Sequence, residues 1–123
     1  MKTKKIAIID DEPDIVFYLA SALQDNGFEV CTATNAHEGL ELIRSQRPDL
    51  VCLDILMPEQ TGFSLYRKIK EDKSLKGVRI LIISALSMEQ EMARIGSALK
   101  PDGYIEKPVD ISLFITTVQR LAA

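Results

Sequence analysis

The sequence predicts an open, parallel α/β sheet covered by helices on both faces. Three observations lead there. Short apolar runs alternate along the chain with longer segments of helical periodicity. The runs are continuously apolar, as strands covered on both faces require. Chemically capable residues, Asp10, Asp54, Ser84 and Lys107, recur just after the runs, where ligands bind in sheets of this kind.

Ile6–Ile9 is the first apolar run. Pro13 suits the first turn of a helix, and Ile15, Leu19 and Leu23 recur on one of its faces. Gly27 ends that helix, leaving Phe28–Thr32 as the second strand. Asn35 with Glu38 three residues on has the form of a capping box. Ala36, Leu40 and Ile43 then give the second helix a buried face, and Pro48 separates it from Leu50–Leu53, the third strand. Gly62 precedes a third helix in which Leu65 and Ile69 share a face while Arg67, Lys68 and Lys70 turn to water. Lys76-Gly77 marks the turn into Val78–Ile83, the most β-prone run of the chain. A fourth helix is predicted over Met88–Ala98, and Pro101-Asp102-Gly103 is a turn signal before the fifth strand, Tyr104-Ile105. The last helix starts near Asp110 and buries Phe114, Val118 and Leu121. Right-handed crossovers place two helices on one face and three on the other.

At 123 residues the chain has the size of one domain, 1–123, large enough to fold without disulfides or a structural metal. Its 15 Lys and Arg against 18 Asp and Glu leave no positive excess for neutralising phosphates, so direct nucleic-acid binding is not expected. The longest apolar run, Val78–Leu86, is interrupted by Arg79 and Ser84 and is far short of a membrane span. Basic Met1–Lys5 runs straight into Ile6 and the acidic Asp10-Asp11, unlike a signal peptide, so a cytoplasmic location is expected. Cys31 and Cys52 each sit in an apolar stretch without ligand spacing and read as small buried hydrophobes. His37, the only histidine, reads as a solvated residue in the first turn of a helix.

If the strands are parallel, Asp10, Asp11 and Asp54 crowd together in one crevice with Ser84 and Lys107. Two unit charges about 4 Å apart repel by about 4 kcal/mol at an effective dielectric near 20. Such a cluster must protonate a member, relax apart or hold a cation. Asp10-Asp11 alone is equally well explained as an acidic first turn on a helix dipole. With the other strand-end residues added, a hard divalent cation is the better reading, and Mg²⁺ suits the oxygen donors. The cation and Lys107 would make the crevice receptive to a phosphoryl group. Ser84 would donate to one of its oxygens, and Asp54 would serve as an oxygen nucleophile.

Across nearly its whole length the sequence resembles the CheY-like receiver domains of two-component response regulators. The resemblance is carried by Ile-Ile-Asp10-Asp11-Glu12, by Leu53-Asp54-Ile-Leu-Met57-Pro58 with Gly62, by Ile-Ile-Ser84-Ala85, and by Tyr104-Ile-Glu-Lys107-Pro108. It implies a doubly wound (βα)5 flavodoxin-like sandwich with strand order 2-1-3-4-5. It also implies that Asp54 is the phosphoacceptor in a Mg²⁺-dependent reaction. Asp11, Asp54 and the backbone carbonyl of Leu56 would bind the ion directly, and Asp10 largely through water. Lys107 would contact the phosphoryl group beside a cis Lys107–Pro108 bond, and Ser84 and Tyr104 would form the output switch. Read without the resemblance, the lesser alternative for Tyr104 is a half-buried strand aromatic with a wet hydroxyl.

The partners implied are a histidine kinase or histidine phosphotransfer protein as donor. A downstream effector domain or target would dock on the face of the fourth helix, fifth strand and fifth helix. A phosphorylation-dependent dimer is compatible with the resemblance, although the last helix lacks the Arg-rich pattern with which one transcription-factor subfamily dimerises. Ser97–Gly103 departs from the short Ala-Gly-Ala-like stretch usual in the family and bears on the shape of the output face. Leu56 and Leu86 stand two residues after Asp54 and Ser84, where family side chains flank the hydrolytic water. Neither can orient or deprotonate water, which implies a long-lived phosphorylated form.

Three rivals share parts of this pattern. A dehalogenase-type phosphatase needs its nucleophile before the acidic pair and a second Asp where Leu56 stands. A flavin carrier needs a Gly- and hydroxyl-rich phosphate loop where Asp10–Asp14 is acidic. A receiver-like module that binds a partner without being phosphorylated is the third, and the full set of Asp10, Asp11, Asp54, Ser84 and Lys107 argues against it.

Overall fold

The computed structural model describes residues 3–96 and 99–123. β1 (Lys5–Ile9), β2 (Glu29–Ala33), β3 (Leu50–Asp54), β4 (Arg79–Ser84) and β5 (Gly103–Glu106) form a parallel sheet in the order β2-β1-β3-β4-β5. Between and after them run α1 (Pro13–Asp25), α2 (Ala36–Gln46), α3 (Thr61–Glu71), α4 (Met88–Ile95) and α5 (Ile111–Leu121). This is the open parallel sheet that the sequence predicts, in the flavodoxin-like strand order that the resemblance implies.

The pleat sorts each strand into two cores. Ile6 and Ile8 of β1 join Leu50 and Cys52 of β3 and Leu81 and Ile83 of β4, beneath Val16, Leu19 and Leu23 of α1 and Phe114, Val118 and Leu121 of α5. Ala7 and Ile9, with Val51, Leu53, Ile80 and Ile82, face the other way onto Ile43 of α2, Leu65, Tyr66 and Ile69 of α3 and Ile95 of α4. Helices therefore lie two on one face and three on the other, and the central strands are apolar between their end residues because both sides are covered there.

Local chemistry sets the helix ends. Pro13 occupies the first turn of α1, and Gly27 takes a positive φ of 85° just beyond its end. The Asn35 side chain accepts from the Glu38 amide at 2.8 Å and starts α2. Ser87 and Gln90 cap each other reciprocally to start α4. α4 stops at Ile95, short of the predicted Ala98. Gly96 takes φ 93°, a conformation an L side chain resists, and breaks the helix there. Ser97 and Ala98 lie outside the described residues. Leu99 is buried in the core, and the Lys100 amide donates to the Tyr66 hydroxyl at 2.8 Å.

The sequence places Gly62 before the third helix, whereas the structure places it inside the first turn of α3. A Cβ there would lie 2.5 Å from the Asp54 carbonyl oxygen and 2.6 Å from that of Ile55. The glycine thus lets α3 press directly on the backbone that carries Asp54. Gly39 of α2 is also close-packed, but its Cβ would meet movable side-chain ends, Ile9 at 2.9 Å and Leu65 at 3.2 Å.

Gly62→Ala is therefore expected to destabilise the protein by about 1–3 kcal/mol despite the higher helix propensity of alanine. Urea unfolding should show a clearly smaller loss for Gly39→Ala. Equal losses at the two positions would mean that the contact of α3 with the β3 backbone is not the constraint.

Candidate functional site

The strand order reverses between β1 and β3, and the crevice opens at their carboxyl ends. Asp10 follows β1 and Asp54 ends β3, so the two carboxylates straddle this switch point, both buried. Asp11 and Glu12 lie exposed at the rim. Asp10, Asp11, Glu12 and Asp54 each offer a carboxylate oxygen, and these oxygens lie within 4.8 Å of one another.

Lys107, just past β5, reaches into the cluster. Its Nζ lies 3.1 Å from Asp10 Oδ2, 3.4 Å from Glu12 Oε1 and 3.5 Å from Asp54 Oδ2. The Lys107–Pro108 peptide bond is cis, as the resemblance implies, and the Lys107 amide donates to the Ser84 carbonyl at 2.6 Å. Backbone donors hold the second oxygens of Asp10 and Asp54. The Glu12 amide donates to Asp10 Oδ1 at 2.9 Å, and the Leu56 amide to Asp54 Oδ1 at 3.0 Å.

These surroundings pull Asp54 in two directions. Burial pushes its carboxyl up, to about 6, and the Asp10 charge adds to the effect; the Leu56 amide and Lys107 pull it back, and Asp11 pushes it up again. For Lys107, burial works against the charge, but the attraction of Asp54, Asp10 and Glu12 outweighs it and raises the pKa. One ammonium among four carboxyl groups leaves the crevice electron-rich and oxygen-lined, a donor set suited to a hard cation.

Ser84 ends β4 and is fully buried, with its Oγ turned to α4 instead of Asp54. It donates to Glu91 Oε2 at 2.9 Å and accepts from the Leu86 amide at 3.1 Å. The Tyr104 hydroxyl donates to the Leu86 carbonyl at 2.7 Å, so Ser84 and Tyr104 share one hydrogen-bonded loop. Burial raises the Tyr104 pKa, which keeps the hydroxyl a donor. The sequence reasoning missed Glu91. The available signal was its phase: it stands between Met88 and Ile95, at i+3 and i+7 on the face of α4 that packs inward.

His37 is exposed at the start of α2, 3.4 Å from Glu41. Cys31 and Cys52 are free thiols, and Cys52 is buried. Among the described residues no helix is long and apolar enough to cross a membrane.

The fold and this strand-end constellation define a doubly wound α/β module with an acidic, oxygen-lined site at its switch point. Residues 6–119 match the response regulator receiver domain, and the chain belongs to that family. It is 30% identical over 120 residues to protein PilH of Pseudomonas aeruginosa, covering 97% of this chain and 98% of that protein. It is 29% identical over 118 residues to the polar-differentiation response regulator DivK of Brucella anthropi, covering 94% of each. Among solved structures, the chemotaxis protein CheY4 of Vibrio cholerae superposes with a TM-score of 0.87 at 28% identity, over 98% of this chain and 99% of that one.

A carboxyl whose folded pKa lies above its ordinary 3.8 favours folding fully below about pH 4, and that contribution is lost as pH rises through about 6. Asp54→Asn removes this penalty. With divalent ions chelated, the variant should gain about 1–3 kcal/mol relative to the parent between about pH 4 and pH 7.5, read by urea unfolding. A constant difference across that range would mean that burial does not hold back the ionisation of Asp54.

Proposed function

We propose that this chain is the phosphoacceptor domain of a two-component phosphorelay. Asp54 accepts a phosphoryl group from the histidine of a kinase or phosphotransfer protein in a Mg²⁺-dependent reaction, and the change switches a protein-interaction face. The reading rests on the buried Asp54 carboxylate facing Lys107 Nζ within a ring of oxygen donors at the topological switch point.

The all-oxygen donor set fits Mg²⁺, which Asp11, Asp54 and the Leu56 carbonyl would hold, with Asp10 acting through water. When bound, the ion supplies the positive charge that lets an anionic donor approach these carboxylates. An Asp54 oxygen forms the bond to phosphorus as the donor's P–N bond breaks, its electron pair remaining on the imidazole nitrogen. Lys107, held charged by its acidic neighbours, neutralises oxygens of the transferring group. Ser84 donates a hydrogen bond to one of them once it turns from α4, and Tyr104 follows through the Leu86 link. The face of α4, β5 and α5 then changes for a downstream effector domain or target.

Leu56 is partly exposed, and Leu86 adjoins Ser84. Neither can position or deprotonate a water molecule, so hydrolysis of the acyl phosphate is slow. The domain acts as a signalling module that resets slowly in the cytoplasm, not as a turnover enzyme.

Intact-mass spectrometry after incubation with acetyl phosphate and Mg²⁺ tests this. One phosphoryl adduct is expected, absent in Asp54→Asn and in chelator. Followed over time, a Leu56→Asn/Leu86→Glu double variant should lose the adduct faster than the parent. No adduct under any condition would favour an interaction module that works unphosphorylated.

A further inference from the structure

We propose that Glu91 is a positioning residue for Ser84, a buried carboxylate that claims the serine's proton and so sets how readily the site accepts a phosphoryl group. The inference rests on the phosphoacceptor reading above. Glu91 is 0% exposed, and outside the acidic crevice it is the one buried charged side chain among the described residues. Arg94 donates to its Oε1 at 2.8 Å, but Arg94 is itself partly exposed and could pair with a carboxylate in water. What distinguishes the buried placement is the second partner, the Ser84 hydroxyl at 2.9 Å from Oε2.

A hydroxyl has one proton to give, and an ionised carboxylate can only accept. Ser84 also accepts from the Leu86 amide, which fixes its remaining contacts. A phosphoryl oxygen on Asp54 needs that same proton, so the phosphoryl group and Glu91 compete for it. A hydrogen bond to a charged acceptor in a water-free site is stronger than one to a neutral acceptor, so the carboxylate is a firm holder. When Ser84 turns away, Glu91 loses one of its two donors where water cannot replace it. α4 must then readjust around Glu91 and Arg94. The same competition that tunes phosphoryl acceptance thus moves the output helix.

Beryllofluoride with Mg²⁺, a phosphoryl mimic, is the probe, with affinity measured by calorimetry in the parent, Glu91→Gln, Ser84→Ala and the double variant. Replacing the carboxylate by a neutral amide should tighten binding roughly five-fold when Ser84 is present. In the Ser84→Ala background the same replacement should change nothing. Should Glu91→Gln fold poorly, Glu91→Leu suits a buried position and is expected to act in the same direction. Unchanged affinity with Ser84 present would overturn the proposal. So would an equal shift without Ser84, which would make Glu91 merely structural. Asp54→Asn separates the two readings. Parent binding that is lost in this variant upholds the phosphoacceptor reading whatever Glu91 does, and a parent that fails to bind takes both readings down.

Discussion

Four clustered carboxyl groups, three of them paired with one ammonium, at the point where a parallel sheet reverses its strand order, form the constraint on which the structure turns. Asp10 and Asp54 are fixed there by the register of β1 against β3, and Lys107 arrives from β5 on the far side of β4. No local segment could assemble this set, because the residues that meet are up to 97 positions apart. The two apolar cores make it possible. They bury the central strands on both faces, so only the strand ends remain to present polar chemistry. Gly62 belongs to the same constraint, since it lets α3 lie directly on the backbone carbonyls of Asp54 and Ile55.

The arrangement holds Asp54 in tension. Burial and neighbouring charge disfavour ionised Asp54, while Lys107 and the Leu56 amide favour it. A site balanced in this way gains by admitting further positive charge, and it has reason to respond when a doubly charged group replaces a carboxylate. The response has a physical route. From Ser84 at the end of β4, hydrogen bonds run one way to Glu91 and Arg94 on α4, and the other through Leu86 to Tyr104 on β5. Both ends of that chain lie on the elements that border the proposed output face.

Much of this was legible in the chain. Continuous apolar runs located the strands, and the rule that ligands sit beyond their carboxyl ends singled out Asp10, Asp54, Ser84 and Lys107. The margins were less legible. Val78 reads as strand but bonds back to Leu75, and the ladder begins at Arg79, because pairing rather than side-chain preference sets strand ends. The fourth helix reads through to Ala98, yet a single glycine in a conformation closed to other residues stops it at Ile95. Gly62 reads as punctuation when it is a packing contact, since the partner is backbone from another element and leaves no mark in the local pattern. Glu91 was hidden for the opposite reason. Its type says surface while its helical phase says core, and only the Ser84 hydroxyl across the gap reconciles them.

The central claim is that this carboxylate cluster is built to hold a divalent cation that makes Asp54 reactive. Calorimetric titration of the chain with Mg²⁺ near neutral pH, beside Asp11→Asn and Asp54→Asn, tests it most directly. One ion bound per chain, with a rise in melting temperature and clear weakening in both variants, is the expected result. Binding that is absent at millimolar Mg²⁺, or that is indifferent to both substitutions, would contradict the account.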